Sequence, residues 1–325
     1  MIRKTLRLLL CSLVLGGASL ALAQDYPSRV ITIIVPFAAG GPSDTIARLT
    51  AQAMSTTLKT QLIIENIAGA GGTIGAARLT QARPDGYTLF IHHIGHATAP
   101  ALYRKLPYDP IGDFAPIGLI NDGAMALVAR KNFPAKNLKE FMAYAVANKD
   151  KLNLANAGIG SASHLCGMLL MSALNAEFTT IPYKGTAPAM NDLLGGQVDF
   201  MCDQTTNNTA QIKGGRIAVY GVTMPARIAA LPDVPTMSEA GMPNFTVSVW
   251  HAMYAPKGTP QPIIDKLSKA LQVALTDATL KQRFAELGSE AVAQDRATPE
   301  ALRAHLKAEI DKWGPIIKKA GVFAD

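Results

Sequence analysis

The side chains best equipped for chemistry are few. His92, His93 and His96 cluster at the end of a β-branched, aromatic run, and Ser161, Ser163, His164 and Cys166 sit close together further on. Neighbouring residues of a strand point to opposite faces, so His92 and His93 are poorly placed to chelate one ion. The pattern instead predicts one packed imidazole and one at a cleft rim. No serine lies in a GxSxG elbow, no Cys/His spacing matches zinc, and no nucleophile–base pair is visible. Gly69, Gly71, Gly72 and Gly75 fail the GxGxxG pattern because Ile74 holds the sixth position. The expectation is a protein without enzymatic chemistry, cofactor or metal.

What recurs is a loop of small residues between a strand and a helix. It occurs as FAAGGPSD (37–44), AGAGGTIG (68–75), AGIGSASH (157–164) and YKGTAP (183–188). A helix start presents unpaired backbone N–H groups and the positive end of the helix dipole. Gly and Ala let a carboxylate or phosphate approach that backbone without any Arg or Lys. In the first loop Gly41 is the expected N-cap and Pro42 the first helical residue. Asp44 then falls at N3, where its carboxylate reaches back to the N-cap amide in a structural role.

Around these loops the chain alternates strand and helix. VITIIVP (30–36), QLIIEN (61–66) and YTLFIHH (87–93) read as strands, with helices over 43–58 and 74–82 between them. A second series follows: strands over 151–157, 178–183, 198–203 and 216–223, and helices near 164–174 and 187–196. Such βαβ units predict parallel sheets covered by helices. The region 230–243 reads as Pro- and Gly-rich loop. The last 65 residues read as mostly helical, with Thr298 capping a final helix that aligns Leu302, Leu306, Ile310 and Trp313.

The first 23 residues stand apart. Arg3, Lys4 and Arg7 precede an apolar run that ends in Ala21-Leu22-Ala23, the order of a secretory signal peptide cleaved after Ala23. Cleavage removes three of the 31 basic residues and none of the 24 acidic ones, leaving 28 − 24 = +4. The remaining charge is mild and scattered, which argues against a nucleic-acid partner. Cys166 and Cys202 remain in the mature chain. In an oxidising compartment they could pair, but buried thiols also pack well as small hydrophobes, and that favours two free cysteines.

YPSRVITIIVPFAAGGPSDTIAR, ENIAGAGGTIGA, RPDGYTLF, YKGTAPAMNDLLGGQVDFMCD and LPDVPTMSEAGMP together resemble the Bug family, the periplasmic substrate-binding receptors of tripartite tricarboxylate transporters. The resemblance covers essentially the whole mature chain. It implies an α/β, two-lobed type II periplasmic-binding-protein (Venus flytrap) fold with the ligand cleft between the lobes. Lobe 1 would comprise 24–124 and 250–325, and lobe 2 125–249. It further implies a monomer in the periplasm that captures an organic carboxylate for the transporter's membrane components. Candidate ligands are aromatic acids such as terephthalate, small di- or tricarboxylates and acidic amino acids. Phe37, Met168 and Met224 are the apolar side chains that could take a ring. The rival is a sensor docking on a histidine kinase.

Carried onto this chain, the ligand contacts from lobe 1 are Phe37, Ala38, Gly40, Ser43, Gly71, Gly72 and Thr73. Those from lobe 2 are Ser161, Ala162, Ser163, Thr186 and Ala187, with Asp203 facing the far end of the ligand. His93 is added as a residue that tunes ligand choice, although the two histidines are not part of the family pattern. Ala39 stands where the family often carries Pro.

Overall fold

A computed structural model describes residues 26–321, 323 and 324, so the signal-peptide reading lies outside the described residues. The chain opens with β1 (Ile31–Val35), α1 (Pro42–Leu58), β2 (Leu62–Asn66), α2 (Thr73–Thr80), β3 (Thr88–His93) and α3 (Gly95–Leu102). β1 pairs parallel with both β2 and β3. These strands are nearly continuous runs of β-branched and aromatic residues, as befits a sheet covered on both faces. Ile31, Ile33, Ile34 and Val35 are all buried.

β4 (Phe114–Arg130) is the long strand that carries the chain from one half to the other. α4 (Leu138–Ala147), β5 (Asn153–Asn156), α5 (Ala162–Leu174), β6 (Thr179–Pro182), α6 (Thr186–Leu194), β7 (Phe200–Gln204), α7 (Thr205–Lys213) and β8 (Ile217–Val222) follow. β5 pairs parallel with β6 and β7. β9 (Ser248–Pro256) then returns, and α8 (Gln261–Ala274), α9 (Ala278–Glu286), β10 (Ser289–Ala291) and α10 (Pro299–Ala320) complete the chain. The region 230–243 contains no helix or strand beyond an isolated bridge at Thr236.

The strand order β2-β1-β3-β9-β4-β7-β5-β6 makes β4 and β9 the spine. From Phe114 to Ala124, β4 pairs antiparallel with β9. From Met125 onward its partners are β7 and β8. The switch falls between Ala124 and Met125. It joins two α/β halves built alike, each with a short parallel sheet and helices packed on it, which is the two-lobed architecture expected.

Two expectations need correction. Cys166 and Cys202 form a disulfide, with Cα atoms 5.9 Å apart. The first turns of α5 lie over the end of β7, and the Ser163 hydroxyl donates to the Cys202 carbonyl at 2.7 Å in the same crossing. That packing brings two buried sulfurs within bridging range. The Asp44 carboxylate does reach backward, but to the Gly40 N–H at 2.9 Å rather than to the N-cap amide. Gly40, at φ 79°, turns its N–H toward the helix. Asp44 also receives Arg48 at 2.9 and 3.0 Å and Asn66 at 3.0 Å. Burial alone would raise its pKa, yet Arg48, Gly40 and Asn66 outweigh burial and hold the carboxyl below its usual range.

Candidate functional site

Helix starts from both halves converge on one small cavity. Its walls are Phe37, Gly41, Pro42, Ser43, His93, Ala157, Ser163, Thr186 and Gln204. Gly41 is the N-cap of α1, and Pro42 and Ser43 are its first two residues. Ser163 lies in the first turn of α5, behind the N-cap Ser161, whose hydroxyl accepts from the His164 N–H at 3.1 Å. Thr186 opens α6 behind Gly185. Gln204 is the N-cap of α7. Four positive dipole ends therefore face one space.

Among the described residues no charged side chain lines that space. Two residues on its wall carry a buried oxygen without a close hydrogen bond: Gln204 Oε1, and Thr186 Oγ1, which lies near the Asp203 carboxylate. Leaving such groups unpaired is costly, on the order of 1–3 kcal/mol each, so they mark where a polar ligand would be received. The cavity itself measures about 10 Å³, room for about one water molecule.

The cavity is small because the halves touch. The Ala38 N–H donates to the Lys184 carbonyl at 2.9 Å. The Tyr103 hydroxyl lies 2.7 Å from the Ala70 carbonyl and 3.0 Å from the Ile159 carbonyl. The Thr98 hydroxyl contacts the Gly160 carbonyl at 3.3 Å. A β-carbon built on Gly71 would lie 1.9 Å from the Ile159 oxygen. The conformation is closed, and Gly71 is what permits it.

Of the residues expected to contact a ligand, Phe37, Ser43, His93, Ser163 and Thr186 line the cavity. Ala38 and Ala187 sit where the first and fourth loops meet, the Ala187 nitrogen 3.8 Å from a β-carbon built on Gly41. The Ala38 amide is already committed to Lys184. Gly40 is exposed and its N–H is held by Asp44. The second loop lies off the cavity wall. Gly72 donates to the Gly69 carbonyl, the Thr73 hydroxyl donates to the Ala70 carbonyl at 3.0 Å, and a β-carbon on Gly72 would meet the His92 ring at 2.7 Å. Ser161, the N-cap of α5, and Ala162, its first residue, are buried and off the cavity wall.

Asp203 is fully buried, and its oxygens accept from the Gln204 N–H at 2.7 Å and Asn207 Nδ2 at 2.6 Å. Burial raises its pKa to about 6, against those two contacts and the nearby Thr186 hydroxyl. Gln204 takes the place on the cavity wall. The missed signal was positional: Gln204 ends a strand and starts a helix, the same junction as the four glycine-rich loops but without glycine.

Both histidines at the end of β3 are buried, so neither imidazole sits at an exposed rim. Their ring centroids are only 4.8 Å apart because the strand ends at His93 and the backbone turns into α3. Phe37 stacks on His93 with centroids 4.6 Å apart. Phe37 stays on the wall, whereas Met168 and Met224 are not part of it. His93 Nδ1 accepts from the Gly95 N–H at 2.9 Å. Burial, with His96 adding to it, lowers the His93 pKa to about 3. The ring is neutral, so its proton is on Nε2, a donor. Among the described residues no group of three or more His, Cys, Asp or Glu is placed to hold a metal ion.

Three residues unsuspected from sequence complete the wall's support. Ser43 Oγ lies 3.1 Å from His251 Nε2, and His251 Nδ1 lies 3.0 Å from Asn121 Oδ1. His251 and Asn121 sit opposite each other on β9 and β4. Asn121 in turn contacts Ser289 of β10 at 2.6 Å.

Residues 46–322 match the family described as "Tripartite tricarboxylate transporter family receptor". The chain is similar to the solved periplasmic binding protein BugD at 52% identity and a TM-score of 0.90, covering 92% of this chain and 99% of that one. It is similar to MatC of Rhodopseudomonas palustris, solved with bound malate, at 42% identity and a TM-score of 0.87, covering 90% and 100%. A further R. palustris protein, solved with adipate, is 31% identical with a TM-score of 0.87, covering 92% and 99%.

Proposed function

The chain belongs to the tripartite tricarboxylate transporter receptor family, and from that premise we propose that it captures a small dicarboxylate in the periplasm and presents it to the transporter's membrane components. One observation carries this reading. Four helix starts, the polar side chains of Thr186 and Gln204 and no cation face one cavity between the halves. A carboxylate is an acceptor-only group whose charge is stabilised by backbone N–H groups and dipole ends without a counter-ion. The absence of Arg and Lys from the wall disfavours densely charged ligands such as nucleotides. The Gln204 amide can turn either its oxygen or its NH2 toward the ligand. Malate and adipate, found in similar solved proteins, are dicarboxylates of this kind.

The lobe limits proposed are 24–124 with 250–325, and 125–249. The partner switch of β4 between Ala124 and Met125 supports the first crossing. The mature chain is proposed to start at Gln24. A thermal-shift screen of malate, succinate, adipate, aspartate and terephthalate tests the ligand class. Small aliphatic dicarboxylates should raise the melting temperature of the wild type and raise it less in Thr186→Ala. A screen in which no dicarboxylate stabilises the protein would refute the reading.

A further inference from the structure

The hydrogen bonds behind Ser43 run in one direction only. The Ser289 hydroxyl contacts the Asp122 backbone carbonyl at 3.1 Å. A carbonyl can only accept, so Ser289 spends its one proton there. Ser289 Oγ must then accept from Asn121, which fixes the Asn121 NH2 toward Ser289 at 2.6 Å. The Asn121 carbonyl oxygen is left facing His251 Nδ1 at 3.0 Å, so Nδ1 carries a proton. His251 is fully buried, and burial together with the neighbouring His93 keeps its pKa well below the ordinary value. The neutral ring therefore has a bare Nε2, and the Ser43 hydroxyl at 3.1 Å must donate to it.

We propose that this relay makes Ser43 a specificity-determining acceptor, so that the ligand is a dicarboxylate carrying a hydroxyl beside one of its carboxylates. The inference rests on the dicarboxylate reading above and sharpens it. Ser43 lines the cavity with its proton already committed, so it offers the ligand lone pairs and nothing else. An ionised carboxylate oxygen at that point would set lone pair against lone pair. A ligand hydroxyl there donates to Ser43, while the carboxylates take the backbone N–H groups and the His93 Nε2–H. An ammonium group fits less well, because the wall holds no Asp or Glu to offset its desolvation. Within the chain each bond polarises the next, which strengthens Ser43 as an acceptor.

Two measurements test this. Long-range 1H–15N correlation spectra of the ligand-free, 15N-labelled protein, with His251 assigned by its loss in His251→Gln, report the tautomer directly. The expected form is neutral with the proton on Nδ1. An Nε2–H or cationic ring overturns the relay. Calorimetry then compares malate with succinate on the wild type and on Ser43→Ala. Malate should bind the wild type at least about tenfold more tightly, the scale of one hydrogen bond to a buried acceptor left unpaired by succinate. In Ser43→Ala the ratio should fall to within about threefold, the acceptor being gone. Succinate binding as tightly as malate, or a ratio unaffected by Ser43→Ala, overturns the hydroxyl selection while leaving the dicarboxylate reading standing. If neither acid binds, the dicarboxylate reading fails and the selection falls with it.

Discussion

Gly71→Ala places a wedge where the halves meet. The added β-carbon would stand 1.9 Å from the Ile159 oxygen and 2.9 Å from its carbonyl carbon, both backbone atoms that cannot rotate away. Restoring an ordinary contact of about 3.4 Å requires the loops to part by about 1.5 Å. The Tyr103–Ile159 and Thr98–Gly160 contacts, at 3.0 and 3.3 Å, would then exceed hydrogen-bond length. At about 1 kcal/mol each, their loss shifts closure by about 2 kcal/mol. A ligand that depends on the closed form should bind about thirtyfold more weakly. The left-handed backbone at Gly71, φ 59°, adds a separate cost of about 1 kcal/mol for any β-carbon, in the open and closed forms alike. Gly40→Ala controls for that cost, because Gly40 has φ 79° and nothing within 4 Å of its built β-carbon. Calorimetry with the best acid from the screen should separate the two variants, and small-angle scattering should show Gly71→Ala more extended with ligand present. Equal affinities for the two variants, within threefold, would refute the wedge argument.

Other expected outcomes are as follows. Burial lowers the pKa of His93 to about 3 and of His96 and His164 to about 4, so the folded state binds fewer protons than the unfolded chain below about pH 6.5. Stability should therefore fall as pH drops from 7 to 5, by about 2 kcal/mol per buried histidine; Asp203 has the opposite sign and offsets part of this. Thermal melts at both pH values check it, and a flat profile would contradict the burial of these rings. Asp203→Asn should remove the offset, steepening the fall between pH 6 and 5, which the same melts would show. Reduction of Cys166–Cys202, which closes a span of 36 residues, should cost about 4 kcal/mol by urea denaturation; an unchanged midpoint would show the pair contributes nothing. Mass spectrometry of periplasmic extract should find a chain beginning at Gln24, and a soluble form beginning at Met1 would exclude the proposed export.

The helix starts were legible because their signals are local. Gly41 and Pro42 open α1, Thr298 and Pro299 open α10, and small residues fill the turns between. The spine was harder to read. Pro116, Gly118 and Gly123 interrupt β4 with residues that normally break strands, and the register shifts near Pro116 and Leu119 absorb part of the irregularity. The contact between Ser43 and His251 joins residues 208 positions apart, so no window of sequence contains it. The family resemblance, not any local pattern, placed Asp203 at the far end of the ligand. The neighbours of Asp203 satisfy it, and the next residue faces the cavity instead. The disulfide depended on how α5 crosses β7, a packing choice that composition does not reveal.

The central claim is that helix starts, not cations, hold the ligand's carboxylate. A crystal structure of the protein with its best-binding dicarboxylate tests this directly. The account predicts a carboxylate between the starts of α1 and α6, with oxygens within about 3 Å of backbone N–H groups and of Thr186 Oγ1. A carboxylate held instead by an Arg or Lys, away from Thr186 and Gln204, would contradict it.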